Sequence, residues 1–344
     1  MRFEDKIENL KYQIGKRVLI TGVSGYLGSH LAKTMKQANW NVHGFDNKHN
    51  FNPYVDVMHA GDVRDGPRLE SVLGNWNFDL VIHLAARIEA GISVLEPTEF
   101  YDVNLGGTCA VVNAMNKHGV KNIIYSSTAA VYKTKNTIIK EDDEIEFNQP
   151  YGHSKELSEQ IISKSRLNYV IFRFFNLTGA DKDGEFGEDH QPETHLIPCL
   201  IYSLGDKKYE RSDIEFELNG DDYNTKDGTC VRDYVHVNDV ADAHILAAEY
   251  LNKGGKSDVF NLGTGQGHSV YEILSEVEKV SEKLITIRLN PRRDGDAESL
   301  VADISKAVEI LKYEPKYNIT SIIKTAYEWH TNEKKETTKI QKTS

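Results

Sequence analysis

The chain has 344 residues, 39% hydrophobic and 27% charged, which suits a globular enzyme of two lobes and excludes a fibre or a wholly disordered chain. No run of about twenty apolar residues occurs, and residues 1–15 mix Glu, Asp and Lys without an apolar stretch, so neither a membrane-spanning helix nor a secretory leader is expected. A net charge of −11 argues against nucleic acid and anionic membranes as partners, and three cysteines without pair or metal-ligand spacing point to a reducing, cytoplasmic setting and no metal.

Short β-branched runs alternate with longer periodic stretches, the signature of βαβ units and a doubly wound parallel sheet. The first predicted strand, Arg17 to Thr21, runs into Gly22-Val23-Ser24-Gly25-Tyr26-Leu27-Gly28, and a helix pattern begins near Tyr26. Glycines 22, 25 and 28 let the backbone turn tightly and approach a pyrophosphate at the helix N-terminus. The second strand, Asn41 to Asp46, ends in a carboxylate that can accept bonds from both adenosine ribose hydroxyls and would repel a 2′-phosphate, so NAD is expected over NADP. Three glycines alone could be turn punctuation; the strand before, the helix after and Asp46 favour a dinucleotide site. A third strand, Val55 to His59, precedes Gly61-Asp62-Val63, whose carboxylate could reach an adenine or cap a helix.

A helix near Pro67, a strand Leu80 to His83 and a helix near Pro97 lead to a fifth strand, Asn122 to Ser126, closing in Ser126-Ser127-Thr128. A further helix, near Tyr151, carries Tyr151-Gly152-His153-Ser154-Lys155 and precedes a strand from Tyr169 to Phe174. Residues four apart share a helix face, so Tyr151 and Lys155 project together. A phenol titrates near pH 10 in water, and a neighbouring ammonium favours its ionised form. With the strand-end hydroxyl of Thr128, the pair can take a proton from an alcohol while hydride leaves its carbon for nicotinamide. A bare Tyr-x-x-x-Lys also occurs as solvated surface; its place after a dinucleotide turn and a Ser/Thr-rich strand end favours catalysis. After Gly179 the texture changes to shorter elements and arginine-bearing turns. The boundary is expected near residue 180, with a dinucleotide lobe over 1–179, a smaller mixed α/β substrate lobe over 180–344, and a frayed Lys/Thr-rich tail from about 332.

Thr21 to His30, Ser126 to Tyr132, Arg173-Phe174-Phe175-Asn176, Asp227 to Val237 and Pro291-Arg292-Arg293-Asp294-Gly295-Asp296 together make the chain resemble the UDP-glucose 4-epimerase family of extended short-chain dehydrogenases, over roughly Lys16 to Trp329. The resemblance implies a Rossmann-type fold, NAD as cofactor, a UDP-sugar as substrate and a homodimer. It also implies that Tyr26, Leu27, Asp46, Asn47, Asp62 and Val63 line the NAD site. Leu84, Ala85, Ala86, Ile88, Asn104, Lys155 and Phe175 would complete it. The UDP-sugar would be held by Asn176, His195, Leu196, Glu217, Leu218, Asn219, Arg232, Arg292 and Asp294, with Leu300 bordering the hexose.

Departures from the family pattern are Ile88, where some members carry Lys near the nicotinamide, a short loop after Asp46, Thr128 for Ser, and Leu300 at a commonly aromatic position. Read without the family, Arg232 and Arg292 suit a diphosphate, or could pair locally with Asp233 or Asp294. A 4,6-dehydratase needs carboxyl groups beside the strand-end Thr, and related decarboxylases place a Glu there; this chain has Ala129 and Ala130. Epimerisation is the expected reaction, with the glucose/galactose pair as substrates and the N-acetylhexosamine pair as a possible extension. A dehydratase, another NAD(P)-dependent sugar-nucleotide enzyme and a non-catalytic NAD-binding regulator are the alternatives.

Overall fold

Thirteen strands are present among the residues described by the computed structural model, which are 16–331 apart from 49, 134–137, 148, 191, 206–214 and 294–295. Asp294 and the tail from 332 therefore lie outside the described residues. The first six strands are β1 (Arg17–Thr21), β2 (Asn41–Asp46), β3 (Val57–Ala60), β4 (Leu80–His83), β5 (Asn122–Thr128) and β6 (Asn168–Phe174). They are followed by β7 (Asn176–Thr178), β8 (Phe216–Asn219), β9 (Val231–His236), β10 (Asp258–Leu262), β11 (Gly267–Ser269), β12 (Ile287–Asn290) and β13 (Ser299–Leu300).

A seven-stranded parallel sheet runs in the order β10-β6-β5-β4-β1-β2-β3. Its residues alternate between two cores. Val18, Ile20, Ile82 and Ile124 meet the helices Tyr26–Gln37 and Val237–Asn252 on one face. Leu19, Val81, Ile123 and Tyr125 meet Gly66–Asn75, Gly107–His118 and Pro150–Ser163 on the other. Burial on both faces is why these strands read as β-branched runs rather than as alternating patterns. Strand order reverses between β1 and β4, so a crevice opens beyond their C-terminal ends, where ligands of such sheets bind.

The seventh strand, β10, comes from well beyond residue 180, so the chain returns to the first sheet after building part of the second lobe. That lobe holds two small sheets. In one, β9 is flanked by β7, β11 and β13; in the other, β8 pairs with β12. Its own core gathers Ile197, Leu200, Ile273, Val277 and Ile322 from three helices. One of them, Val270–Ser281, starts with a capping box between Ser269 and Glu272.

β3 runs Val57–Ala60 rather than Val55 to His59, β6 starts at Asn168 rather than Tyr169, and two further differences bear on the site. β5 continues to Thr128, in register with Phe174, because β6 supplies partners for two more residues. The expected helix near Pro97 is a single turn, Pro97–Phe100, that widens into a π turn over Tyr101–Gly106 before Gly107–His118. Asn104, in the widened turn, uses its whole amide on Arg87 N (2.7 Å), Arg87 O (3.0 Å) and Ser154 Oγ (2.9 Å). A π turn of this kind re-aims one side chain.

Candidate active site

The glycine turn is built for close backbone approach. Gly22 has φ of +74°, and a Cβ there would stand 2.7 Å from Ala85 N, so the turn after β1 lies against the 84–86 segment after β4. A Cβ on Gly28 would stand 2.2 Å from Gly22 O and 2.7 Å from Val23 Cα. Gly25 is different: its Cβ would meet only Gly22 O, at 3.3 Å. Gly25 opens the helix Tyr26–Gln37 without a side-chain cap, so no side chain of the described residues caps the first-turn N–H groups. Tyr26 donates its hydroxyl to Gly179 O, and Leu27 is buried in the core.

Asp46 closes β2, and its two oxygens each accept one backbone N–H, from Ser24 (2.9 Å) and Lys48 (2.9 Å). The carboxylate is thus fixed at the rim of the glycine turn with acceptor sites to spare. Asn47 beside it is exposed. Asp62 is occupied otherwise: it accepts from Arg64 N (2.9 Å) and pairs with the Arg64 guanidinium (2.7 Å), which holds its carboxyl below the usual range. Val63 is buried, Leu84, Ala85 and Ala86 are half-buried, and Ile88 is exposed.

Thr128, Tyr151 and Lys155 come together at the same end of the sheet. Thr128 lies beside the Tyr151 phenol, and Lys155 Nζ lies 4.5 Å from the Tyr125 ring centroid. The expected ammonium effect on the phenol is not what dominates. Burial pushes the Tyr151 phenol up, against the opposing influence of the Thr128 hydroxyl, and burial brings Lys155 down to about 7, against the pull of Glu159. The reason is desolvation: both groups sit where water cannot support a charge. Beneath them, Glu159 accepts from the Ser127 hydroxyl and pairs with Arg173 at 2.6 Å, a buried ion pair at the i+4 position from Lys155. Nothing in the local sequence marked Glu159 as the partner of Arg173; the pairing of β5 with β6 brings Arg173 to the helix that carries Glu159.

The substrate-side residues fall on the small sheets. β9 carries Arg232, in register with Leu300 on β13, while its other edge pairs Tyr234 with Asn176 on β7. Leu300 is half-buried against Ala129, Val131 and Phe175, which puts it at the strand end holding Thr128. Arg232 donates to Val231 O, Ala297 O and Asp296 (2.9 Å), and Arg292 pairs with Asp222 at 2.5 Å over the Tyr223 ring. Local pairing with Asp233 does not occur, because that carboxylate is buried and accepts from Thr264, Gly265 and Ala302 N–H groups. On β8, Glu217 meets Arg288, Leu218 is buried and the Asn219 amide donates to Glu217 O. His195 and Leu196 open the helix Leu196–Ser203. His195 also belongs to a quartet with Glu188, His190 and Glu193 whose spacing gave no warning in the sequence.

Residues 18–263 match the family model described as the NAD dependent epimerase/dehydratase family. The UDP-glucose 4-epimerase of Rhizobium leguminosarum bv. trifolii is 40% identical, over 92% of this chain and 98% of its own length. The UDP-glucose 4-epimerase of Brucella ovis, solved in complex with NAD, superposes with a TM-score of 0.86 at 35% identity, covering 92% of this chain and 99% of that one. That of Bifidobacterium longum, solved with NAD+ and UDP, gives 0.83 at 35% identity over 92% and 98%. The chain therefore belongs to the NAD dependent epimerase/dehydratase family, among its UDP-glucose 4-epimerases.

Proposed function

We propose that the chain interconverts UDP-glucose and UDP-galactose, with NAD as resident cofactor, through a transient 4-keto sugar. The observation that carries this reading is the convergence of Thr128, Tyr151 and buried Lys155 at the sheet end that also bears the glycine turn.

The residues fit NAD. Gly25 leaves room before an uncapped helix N-terminus for a pyrophosphate, and Asp46 keeps acceptor sites for two ribose hydroxyls. Tyr26, Leu27, Asn47, Val63, the 84–86 segment, Ile88 and Phe175 would line the same crevice, whereas Asn104 acts by tying the 87 backbone to Ser154. NAD, when bound, supplies a hydride acceptor and a cationic ring.

Tyr151 takes the proton of the sugar C4 hydroxyl, and Thr128 holds the same oxygen. A buried phenol ionises only with positive charge nearby, which is what Lys155 provides in its protonated form. After the ketone turns over, Tyr151 returns the proton to an oxygen presented on the other face. Arg232 and Arg292 would exchange Asp296 and Asp222 for the diphosphate, at small cost for the exposed Arg292 pair, while Arg232, largely buried, is held ready by Val231 O and Ala297 O. Asn176, His195, Leu196 and the Glu217–Asn219 strand would hold the rest of the UDP-sugar. On this reading residues 1–179 form the NAD lobe, joined by β10 and the helix Val237–Asn252, and the remainder of 180–344 forms the sugar-nucleotide lobe.

No carboxylate follows Thr128, since Ala129 and Ala130 come next, which favours epimerisation over dehydration. Exposed Val94, Leu95 and Ile161 on helices packed together support a homodimer, and the cysteine usage a reducing, cytoplasmic setting. The test is to incubate the purified protein with UDP-galactose, without added cofactor, and identify products by NMR. UDP-glucose should appear; an inert, NAD-loaded protein would refute the proposal.

A further inference from the structure

The loop before the helix Leu196–Ser203 gathers four ligand atoms that the epimerase reading leaves unused as a set. Glu188, His190, Glu193 and His195 form two Glu-x-His arms separated by 191–192, and one nitrogen or oxygen from each lies within 4.8 Å of all the others. Both imidazoles turn Nδ1 to a single oxygen, Glu188 Oε1, with His190 at 3.2 Å and His195 in direct hydrogen bond. The Glu188 and Glu193 side chains are only 2% and 4% exposed, so this is no solvated acidic patch.

One buried atom in the quartet has no hydrogen-bond partner among the described residues. Glu193 Oε1 accepts from the N–H groups of Thr194 and His195, both at 2.8 Å, which orients the carboxylate. Its Oε2 is buried, accepts from no described residue, and lies 3.8 Å from His190 Nδ1. Leaving a buried carboxylate oxygen unsatisfied is costly. The backbone behind the quartet is anchored, because Trp329 Nε1 donates to Glu188 O at 3.0 Å.

We propose that Glu188, His190, Glu193 and His195 form a binding site for a first-row divalent cation, Zn2+ by preference. Ligands at about 2.0–2.1 Å from Zn2+ stand roughly 3.3 Å apart in a tetrahedron, a spacing this quartet reaches by small side-chain shifts. Two imidazoles with two carboxylates suit zinc and disfavour the hard cations Mg2+ and Ca2+, which take oxygen ligands. The hydrogen bonds of Glu193 Oε1 are the outer contacts that fix a ligand's direction.

A cation at this point would face both Nδ1 atoms, Glu188 Oε1 and Glu193 Oε2, and would balance two buried carboxylates. The site would brace the loop beside Tyr26, whose ring stands edge-on to His190 at 6.4 Å. The inference shares His195 with the proposed substrate set but does not depend on the reaction assigned to the enzyme.

The test uses the full chain, stripped with a chelator and titrated calorimetrically with ZnCl2. One Zn2+ per chain should bind, with a rise in Tm, while MgCl2 gives neither. His190→Ala and Glu193→Gln, each checked for fold by circular dichroism, should weaken Zn2+ binding by more than the roughly 10–100-fold that losing an outer contact costs. His190 is part-exposed, so its variant keeps the test alive if Glu193→Gln fails to fold. Absence of saturable Zn2+ binding by the parent protein, or parent-like affinity in a folded variant, overturns the proposal.

Discussion

Alanine at Gly25 and alanine at Gly28 should fail in different ways, although both glycines belong to one turn. At Gly28 the new methyl would stand 2.2 Å from Gly22 O, 2.7 Å from Val23 Cα and 2.9 Å from Val23 C, all backbone atoms. Relief requires the helix to move by about an ångström against a packed core, an overpacking of roughly 1–3 kcal/mol or more. At Gly25 the backbone is extended (φ −78°, ψ 176°), which alanine adopts freely, and the methyl has one near neighbour at 3.3 Å. The fold should change by less than about 1 kcal/mol there. The methyl does enter the space before the helix N-terminus, so NAD affinity should drop at least about tenfold, or ~1.4 kcal/mol. Both variants should be stripped of nucleotide before Tm is measured, because bound ligand raises it. Gly28→Ala should then lose several degrees and Gly25→Ala almost none, while both bind NAD weakly in a direct titration. Parent-like NAD affinity in Gly25→Ala would show that the pyrophosphate does not approach this turn.

Tyr151→Phe and Lys155→Met should each lose about 10²–10⁴-fold in turnover while keeping NAD and fold, as kinetics on NAD-loaded protein will reveal. Lys155 titrates at about 7 in the folded protein and near 10.4 unfolded, so between those values only the unfolded chain holds its proton. Stability of the NAD-free protein should therefore climb with pH across that window, and urea denaturation of Lys155→Met should show a flatter slope. Asp46→Ala should erode the preference for NAD over NADP, measured as the ratio of the two dissociation constants. Leu300→Tyr should depress kcat/KM for the N-acetylhexosamine pair more than for glucose and galactose, because Leu300 packs at the Thr128 strand end; an unchanged ratio would remove it from the sugar's path.

β1 and β4 were legible to the residue because buried parallel strands announce themselves as largely apolar, β-branched runs. β2, with Val42 its one β-branched residue, was legible by its end at Asp46 after the glycine turn and its helix. The placement of the three residues proposed for catalysis was legible too: Tyr151 and Lys155 on one helix, Thr128 at a strand end. The second lobe was not. Its strands β7 and β13 have three and two residues, too short to carry a period, and are held by β9 rather than by their own pattern. β10 escaped because a sequence cannot say that a late strand returns to an early sheet. The two arginines illustrate the same limit. Pairing with an acidic group was foreseen, but the partners are Asp296 and Asp222, chosen by the loops rather than by adjacency. The Glu188–His195 quartet was missed for a related reason: its ligands converge through the fold of a short loop, not through a zinc-like spacing.

The central claim is that the sugar is oxidised and reduced again at C4 within one site, and an isotope tests it most directly. UDP-galactose deuterated at C4 is turned over by the purified protein, with no cofactor added, and the UDP-glucose formed is examined by NMR. The account predicts that the deuterium remains on C4 of the product, because it leaves as hydride and returns to the opposite face. UDP-glucose carrying ordinary hydrogen at C4, or deuterium found elsewhere on the sugar, would contradict it.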